Sequence, residues 1–318
     1  MDDQMIIGWN GAKQTDFGVV PLQFDHNLHQ HALFSEQSLA RIFDRLDRKD
    51  YYVNTMDVTA HNVRSRREGE INGLSGAEVL HAVKNGQIWI LLLHPEKAGP
   101  QYHELLREIY AEIRHRQPGF HPYLEKMTLL ISSPNIQVYY HCDIPGQTLW
   151  QVRGNKKVYV YPNREPFLDQ ASLERIALGE AHEISLPYQP NFDDHAVVYD
   201  LQPGQWLHWP LNAPHRIVNG DCVNVSFTTE HFTRSIRRTY YINYANGILR
   251  HRMGCNPRSQ KTTGLSYWAK FGLAAVYKLS GHQNKRRKIL NVDFRVDPNA
   301  PRGVRTRRRT ERTATRGK

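Results

Sequence analysis

The sequence predicts a β-sandwich or β-barrel core with flanking α-helices, and therefore an α+β protein overall. Two observations support this prediction. From about residue 126 to residue 230, short β-prone runs alternate with Pro- and Gly-containing turns, a pattern typical of sandwiches and barrels. Before and after that stretch, apolar residues recur at helical spacing instead, which indicates amphipathic helices.

The N-terminal part, residues 1–125, is predicted to be an α/β elaboration. A helix is expected to begin after Ser35, which suits an N-cap, because the apolar side chains that follow it share one helical face: Leu39, Ile42, Phe43 and Leu46. Further helices are predicted over SGAEVLHAVKNGQ and YHELLREIYAEIRHRQ. Between them, IWILLL is short and apolar enough for a buried strand.

The core is assigned to residues 126–232 and the helical region after it to residues 233–284. The β-prone runs of the core are MTLLIS, IQVYYH, TLWQV, KVYVYP, HAVVYDL, QWLHWP and VNVSFTT, with one helical insertion, DQASLERIALGE. The C-terminal helical runs are TRSIRRTYYINYANGILRHRMG and LSYWAKFGLAAVYKLS. They could pair two copies in a homodimer or cover the core, and we expect them to cover it.

Length and composition exclude several classes of protein. The 318 residues, 40% of them hydrophobic, can bury a sizeable core. No apolar run approaches the roughly 18 residues of a membrane span, and the N-terminus lacks the features of a secretory signal. The three cysteines, Cys142, Cys222 and Cys255, suit neither a disulfide framework nor a zinc cluster. A cytoplasmic location is therefore expected.

The net charge of +11 is concentrated at the C-terminus. Residues 285–318 contain 13 Lys and Arg but only 3 acidic residues, so the preceding 284 residues together are nearly neutral. We expect a basic, disordered tail, because its last eighteen residues hold few side chains that could form a core. Such a tail either binds nucleic acid or another polyanion, or only solubilises the chain.

A candidate metal site begins with His141 and Asp143 at the end of a predicted strand. Residues two apart on a strand point to the same face, so both side chains can reach one ion. An H-x-D/E pair alone is weak, because about two are expected by chance in this composition. The second pair in the sequence, His94 and Glu96, is such a chance match: it has no later partner of the right type.

His215 supplies the third predicted ligand. It lies 74 residues after His141, behind a Pro-Gly turn, an aromatic strand and a loop, a separation that suits a strand returning beside the first. Two His and one carboxylate leave coordination positions open, as in non-haem Fe(II) oxygenases. Zinc sites with the same ligand types also exist, so the residues alone leave the metal open.

Lys156 follows a predicted tight turn at Gly154-Asn155 and starts the next strand. A lysine at the edge of a barrel is most often a solvated surface residue. If Lys156 faces the interior instead, its ammonium can pair with a carboxylate of a small acid bound to the metal.

These residues resemble the JmjC/cupin-like family of Fe(II)/2-oxoglutarate oxygenases, and in particular its factor-inhibiting-HIF type of asparaginyl hydroxylase. The resemblance covers about residues 130–230. It implies a double-stranded β-helix, or jelly-roll, core; iron ligands at His141, Asp143 and His215; and Lys156, fifteen residues after His141, as the partner of the 2-oxoglutarate 5-carboxylate. It also implies cosubstrate contacts from an amide at Gln147 and from the position of Ser226.

The sequence departs from this family pattern at several positions. Ser226 stands where the related hydroxylase has Asn, Val138 stands where it has a cosubstrate-binding Thr, and Gln205 replaces the usual Asp after Pro-Gly. Tyr139, Tyr140 or Thr148 would have to supply the missing donor. The resemblance therefore implies the chemistry better than the substrate.

Three hypotheses follow. The favoured one is an oxygenase, a hydroxylase of a protein, amino-acid or small-molecule substrate, with Fe(II), 2-oxoglutarate and O₂. The alternative is a non-catalytic cupin-type module that senses a ligand and binds nucleic acid through the basic tail. A third is a cupin isomerase or zinc enzyme, which would not need O₂.

Overall fold

The computed structural model describes residues 4–71, 73–281 and 292–307. Within these residues the chain forms seven α-helices: α1 Gly11–Asp16, α2 Glu36–Phe43, α3 Gly76–Asn85, α4 Gln101–Arg116, α5 Gln170–Ala177, α6 Arg234–Met253 and α7 Gly264–Leu279. The strands before the predicted core are β1 Ile6–Ile7, β2 Leu22–His26, β3 Tyr51–Thr55, β4 Arg67–Glu70 and β5 Trp89–Leu92.

The strands of the core are β6 Tyr123–Ser132, β7 Gln137–His141, β8 Gly146–Arg153, β9 Lys156–Val160, β10 Val197–Leu201, β11 Gln205–His208, β12 His215–Asn219 and β13 Asn224–Phe232. Two short strands follow α7, β14 Val292–Val296 and β15 Val304–Thr306. The helical insertion predicted within the core is α5. The short strand β12, which begins at His215, is not among the β-prone runs named above.

Two sheets face each other in the core. One has the strand order β10-β9-β12-β7, and the other contains β11-β8-β13-β6 within a larger sheet. Successive strands from β6 to β13 alternate between the two sheets, except for the neighbours β9 and β10, and these pairings are antiparallel. Eight strands wound in this way form a double-stranded β-helix, or jelly roll. The predicted fold class is therefore confirmed.

Alternating side chains of these strands fill the space between the two sheets. The apolar ones form one buried cluster: Val138, Leu149, Val158, Val160, Leu201, Leu207, Trp209, Ala213 and Ile217. The opposite face of the larger sheet carries stacked aromatic rings, with Trp150 4.5 Å from Trp206 and 5.5 Å from Phe227 between centroids. Both faces of the larger sheet are buried here, which fixes the register of its strands, because a slip by one residue would exchange the faces.

The N-terminal strands extend the larger sheet at both ends. β2 pairs with β11 at one end, and β5 pairs with β6 at the other, where β3 and β4 continue the sheet. The predicted helix starts are present. Ser35 caps α2 by accepting from the Ser38 N–H at 3.2 Å, and Ser75 and Glu78 form a capping box at α3.

Part of the predicted tail is folded. Residues 292–307, expected to be disordered, contain β14, which pairs in parallel with β4, and β15, which pairs with β14. Disorder is the wrong prediction for these residues, because Phe294 and Val296 are buried in the main hydrophobic core and stabilise the added strands. The rest of the tail, residues 285–291 and 308–318, lies outside the described residues.

The C-terminal helices pack together beside the core. α6 begins at its N-cap, Thr233, and contacts both α5 and α7. Among the described residues, no helix is long and apolar enough to cross a membrane. The boundaries of the N-terminal, core and helical regions drawn from the sequence stay a prediction, and the larger sheet is continuous across the first of them.

Candidate metal centre

The fold brings the three predicted ligands together. His141 ends β7, Asp143 lies two residues beyond it, and His215 begins β12, where it pairs with His141 in the register of the two strands. One ligand atom from each of the three lies within 4.8 Å of the other two. Nε2 of His215 is 3.4 Å from Oδ2 of Asp143. Within the described residues, no other group of three His, Cys, Asp or Glu side chains meets this geometry.

Backbone carbonyls orient both imidazoles. Nδ1 of His141 lies 2.7 Å from the Tyr139 carbonyl oxygen, and Nδ1 of His215 lies 3.0 Å from the Ala213 carbonyl oxygen. A carbonyl can only accept, so each Nδ1 carries the proton and donates it. Each Nε2 then presents a lone pair, the arrangement that a metal-binding histidine requires.

The charges of the three groups also suit a cation. Burial lowers the pKa of His141 to about 4 and holds the pKa of His215 well below its ordinary value, so both rings are neutral at pH 7. Burial, followed by the charges of Glu183 and Glu230, raises the pKa of Asp143 well above its ordinary value. A bound cation would reverse that shift, because it stabilises the ionised carboxylate.

Neighbouring side chains hold Asp143 in place. With its amide nitrogen turned toward the carboxylate, Gln147 donates to Oδ1 of Asp143 at 2.8 Å, whereas the opposite orientation would set oxygen against oxygen. Asn212 donates to the Asp143 backbone carbonyl at 2.6 Å. Trp209 packs on the His215 ring, 4.5 Å between centroids. Gln147, predicted to contact the cosubstrate, therefore also orients a predicted metal ligand.

A cavity of about 830 Å³ opens onto these residues. Apart from the three predicted ligands, its charged and imidazole side chains are Arg66, Glu68, Lys126, His182, Glu183, Glu230 and Asp293. None of these seven residues was predicted to belong to the site. Glu230 could have been found from strand alternation, because it lies four residues after Ser226 on β13. Arg66 lies on a loop and Glu183 begins a short 3-10 helix, Glu183–Ser185, and the spacing in the sequence indicates neither position.

Lys156 lies between the two sheets and does not face solvent. Its side chain starts β9, in line with the buried Val158 and Val160, and it is only 4% exposed. Its ammonium donates to Oγ of Ser226 on the facing sheet at 2.9 Å. No carboxylate of the described residues forms an ion pair with it. Burial accordingly lowers its pKa from 10.5 to about 7.

The cavity stops short of this ammonium. Its inner wall includes Leu149, Ile217 and Thr228, and neither Lys156 nor Ser226 lines it. Thr228 and Ser226 lie on the same face of β13, two residues apart, which corresponds to about 7 Å along the strand. A small acid that reaches both the ligands and the ammonium would therefore extend past the inner wall of this cavity.

The structure also places the three side chains that could replace the missing threonine. The Tyr140 hydroxyl donates to the Phe167 carbonyl, away from the cavity, and Thr148 pairs with Thr229 on the opposite face of its sheet. Tyr139 does line the cavity, and its hydroxyl lies 3.0 Å from the Asp57 carbonyl oxygen. Thr228, not considered in the sequence analysis, presents a further hydroxyl on the cavity wall.

Comparisons with known proteins gave distant structural matches. No protein-family profile matches the sequence, and no curated protein matches it. Among solved structures, the chain is similar to Escherichia coli YcfD, with a TM-score of 0.49 and 12% identity over 88% of this chain and 70% of the other.

Two further matches are complexes of the same E. coli protein, which is described as a ribosomal oxygenase. The complex with cobalt and 2-oxoglutarate has a TM-score of 0.48 and 12% identity, over 92% of this chain and 74% of the other. The complex with cobalt and succinic acid has a TM-score of 0.41 and 12% identity, over 86% and 69%.

Proposed function

We propose that the protein is an Fe(II)/2-oxoglutarate-dependent oxygenase that hydroxylates its substrate. One observation carries the proposal: a buried ammonium that has no carboxylate partner among the described residues lies between the same two sheets that present the His141, Asp143 and His215 ligand set. The ligand set by itself is compatible with several metals and reactions. The ammonium adds a requirement for an anion inside the barrel.

The buried ammonium of Lys156 has an energetic cost. A buried ammonium is costly unless an opposite charge or several hydrogen bonds compensate it. The hydrogen bond to Ser226 is one interaction with a neutral hydroxyl. A dicarboxylate with one end at the metal would bring its other carboxylate to Lys156. A charge-assisted bond of that kind contributes on the order of 1.5–3 kcal/mol.

The roles of the residues follow from this arrangement. When bound, Fe(II) would supply O₂ activation coupled to the decarboxylation of 2-oxoglutarate. His141, Asp143 and His215 would hold the ion, Gln147 would keep the Asp143 carboxylate oriented, and Lys156 with Ser226 would hold the 5-carboxylate. Trp209 and the apolar wall around Leu149 and Ile217 would exclude water from the reacting centre.

The motif from His141 to Lys156 favours hydroxylation over demethylation. The spacing from His141 to Lys156 resembles that of the factor-inhibiting-HIF type of hydroxylase, a JmjC/cupin-like enzyme. The cavity volume of about 830 Å³ leaves room for part of a substrate beside a five-carbon acid. The proposed substrate is a protein side chain, an amino acid or another small molecule.

The first test measures metal binding. The purified chain should bind one Fe(II) per molecule under anaerobic conditions, measured by elemental analysis after gel filtration. Asp143→Ala or His215→Ala should abolish binding, because two ligands are too few for a stable site. His94→Ala is the matched control, since His94 and Glu96 form the other H-x-D/E pair, with His94 Nδ1 3.1 Å from Glu96. Equal metal loss in the control would contradict the assignment.

The second test measures succinate release with Fe(II), 2-oxoglutarate and O₂. Lys156→Ala should raise the KM for 2-oxoglutarate by about ten-fold or more, the ratio that a charge-assisted bond supplies. Lys157→Ala is the control, because Lys157 is exposed on the opposite face of β9. A protein that binds Fe(II) and 2-oxoglutarate without turnover would instead be the ligand-sensing module. An unchanged KM in Lys156→Ala would remove the proposed role of Lys156.

A further inference from the structure

The outer face of α7 is apolar and exposed. Leu265, Trp268, Val276 and Leu279 are 90%, 60%, 67% and 87% exposed. Their spacings of three, eight and three residues place them along one side of the helix. Gly272, between them, has no neighbouring atom within 4 Å of the position that a Cβ would occupy. The exposed positions of α7 include no charged residue. We call this surface the α7 face.

The α7 face cannot turn inward, because the opposite side of the helix is already packed. Tyr267 and Ala274 are buried. Phe271 contacts Tyr241 of α6, 4.9 Å between ring centroids, and the Lys278 ammonium lies 4.7 Å from the ring of Tyr244. These contacts fix the orientation of α7. Among the described residues, its apolar side therefore faces solvent. Contiguous exposed apolar surface of this kind marks an interaction site.

The helical region around the α7 face is strongly basic. Residues 233–281 contain nine Lys and Arg and no Asp or Glu. Two of the nine, Arg250 and Arg252, pair with Glu174 and Glu180 of the core, which leaves an excess of positive charge. Residues 1–232 have the opposite balance, 20 Lys and Arg against 28 Asp and Glu. Arg258 and Lys261 are exposed immediately before α7 begins. A partner of this surface must therefore accept apolar side chains and also carry negative charge.

We infer that the α7 face docks on the surface of an anionic phospholipid bilayer. Leu265, Trp268, Val276 and Leu279 would enter the boundary between headgroups and acyl chains, and the basic residues beside them would contact the headgroups. Peripheral helices that bind membranes combine these two features, an apolar face and nearby Lys and Arg. With 16 residues, α7 is about 24 Å long and would lie along the surface.

The charge balance favours a bilayer over the other occupants. Nucleic acid would engage the basic residues through its phosphates but would leave the apolar side chains exposed. A second copy docked through the same face would bring together two regions that each carry an excess of cationic side chains. An anionic bilayer satisfies the apolar and the cationic side chains at once.

Vesicle flotation with the full-length protein tests the inference. We expect binding to phosphatidylcholine vesicles that contain about 30% phosphatidylserine, and weak binding to phosphatidylcholine alone. Binding should weaken when the salt concentration rises from about 0.1 M to about 1 M, because the Debye length falls from about 10 Å to about 3 Å.

The variant Leu265→Ser/Trp268→Ser/Leu279→Ser should reduce binding to the anionic vesicles by about ten-fold or more. Val197→Ser/Val198→Ser is the matched control, since both valines are about half exposed, far from α7 in the sequence, on β10. The control should bind like the unchanged protein. Circular dichroism and metal binding of both variants verify folding.

Several outcomes would overturn the inference. The unchanged protein could fail to float with anionic vesicles, or the triple variant and the control could bind equally well. Sedimentation could show a dimer that only the triple variant dissociates, which would assign the α7 face to a second copy. Loss of affinity for a duplex RNA or DNA probe on the triple substitution would assign it to nucleic acid.

Discussion

At the scale of single residues, Lys156 separates this site from a simple metal-binding barrel. The family resemblance implies an ammonium inside the barrel, and Lys156 is buried there because β9 faces β13, whose Ser226 accepts a hydrogen bond from it. His141, Asp143 and His215 were predictable because strand alternation and one return strand fix them. Glu183 and Arg66 were not, since their loops reach the cavity only through tertiary packing.

The pKa of Lys156 leads to a prediction about stability. In the unfolded chain the lysine pKa is about 10.4, and burial lowers it to about 7 in the folded protein. Between these values the unfolded state binds more protons, so burial of Lys156 destabilises the fold fully below pH 7 and progressively less as the pH rises toward 10. Lys156→Met should therefore raise the free energy of unfolding at pH 7, by up to about 4 kcal/mol.

Urea unfolding at pH 7 and at pH 9.5 measures this effect. The increase in the free energy of unfolding caused by Lys156→Met should be larger at pH 7 than at pH 9.5. The same variant should lose affinity for 2-oxoglutarate. The opposite trend with pH, or no gain at pH 7, would show that the ammonium is compensated in the free protein. Lys157→Met, an exposed neighbour on the same strand, should change stability at neither pH by more than about 0.5 kcal/mol.

At the scale of elements, β14 shows where sequence patterns fail. It lies in a segment that composition assigns to a basic tail, and only Phe294 and Val296 distinguish it from its surroundings. A five-residue strand of this kind is stabilised by pairing with β4, about 225 residues earlier in the chain, and with the short strand β15. The helices α2, α3 and α4 and most core strands were predictable, because their own periodicity identifies them.

The contact between β4 and β14 predicts a pair of coupled substitutions. Gly69 lies directly against Phe294, and a Cβ at Gly69 would be 2.3 Å from the Phe294 ring. Gly69→Ala should therefore destabilise the protein by about 1–3 kcal/mol. Phe294→Ala should cost about 3–5 kcal/mol through the cavity it leaves.

The double variant Gly69→Ala/Phe294→Ala should cost less than the sum of the two, because the smaller side chain makes room for the new methyl group. Urea unfolding, followed by tryptophan fluorescence, gives the three free energies. Strict additivity would mean that Phe294 does not pack on Gly69. Gly11→Ala serves as a control, since nothing lies within 4 Å of a Cβ at that helical position.

At the scale of the whole molecule, the continuous larger sheet joins the N-terminal strands, the jelly-roll core and β14 with β15. The C-terminal residues therefore have two separable parts. Residues 292–307 belong to the folded sheet. Residues 308–318 add a net charge of +4 beyond it. An experiment on the basic tail must begin after Arg307, because an earlier end would remove β15, or β14 as well, and confuse loss of charge with loss of folding.

Two truncated chains distinguish loss of the C-terminal charge from loss of folding. A chain that ends at Arg307 should keep its melting temperature and its 2-oxoglutarate-dependent succinate release, because His141, Asp143, His215 and Lys156 all lie in the core. A chain that ends at Gly281 should melt at a lower temperature, since Phe294 and Val296 no longer cover the core.

Differential scanning calorimetry and the succinate assay on both chains decide the outcome. If the chain that ends at Arg307 loses turnover while its melting temperature is unchanged, residues 308–318 take part in the reaction or in substrate binding, and the oxygenase cannot be assigned to the core alone. If it keeps turnover but loses affinity for RNA or DNA, the last eleven residues form a separate polyanion-binding arm. Catalysis would then depend on the jelly roll, and the charged end of the chain would determine where it acts.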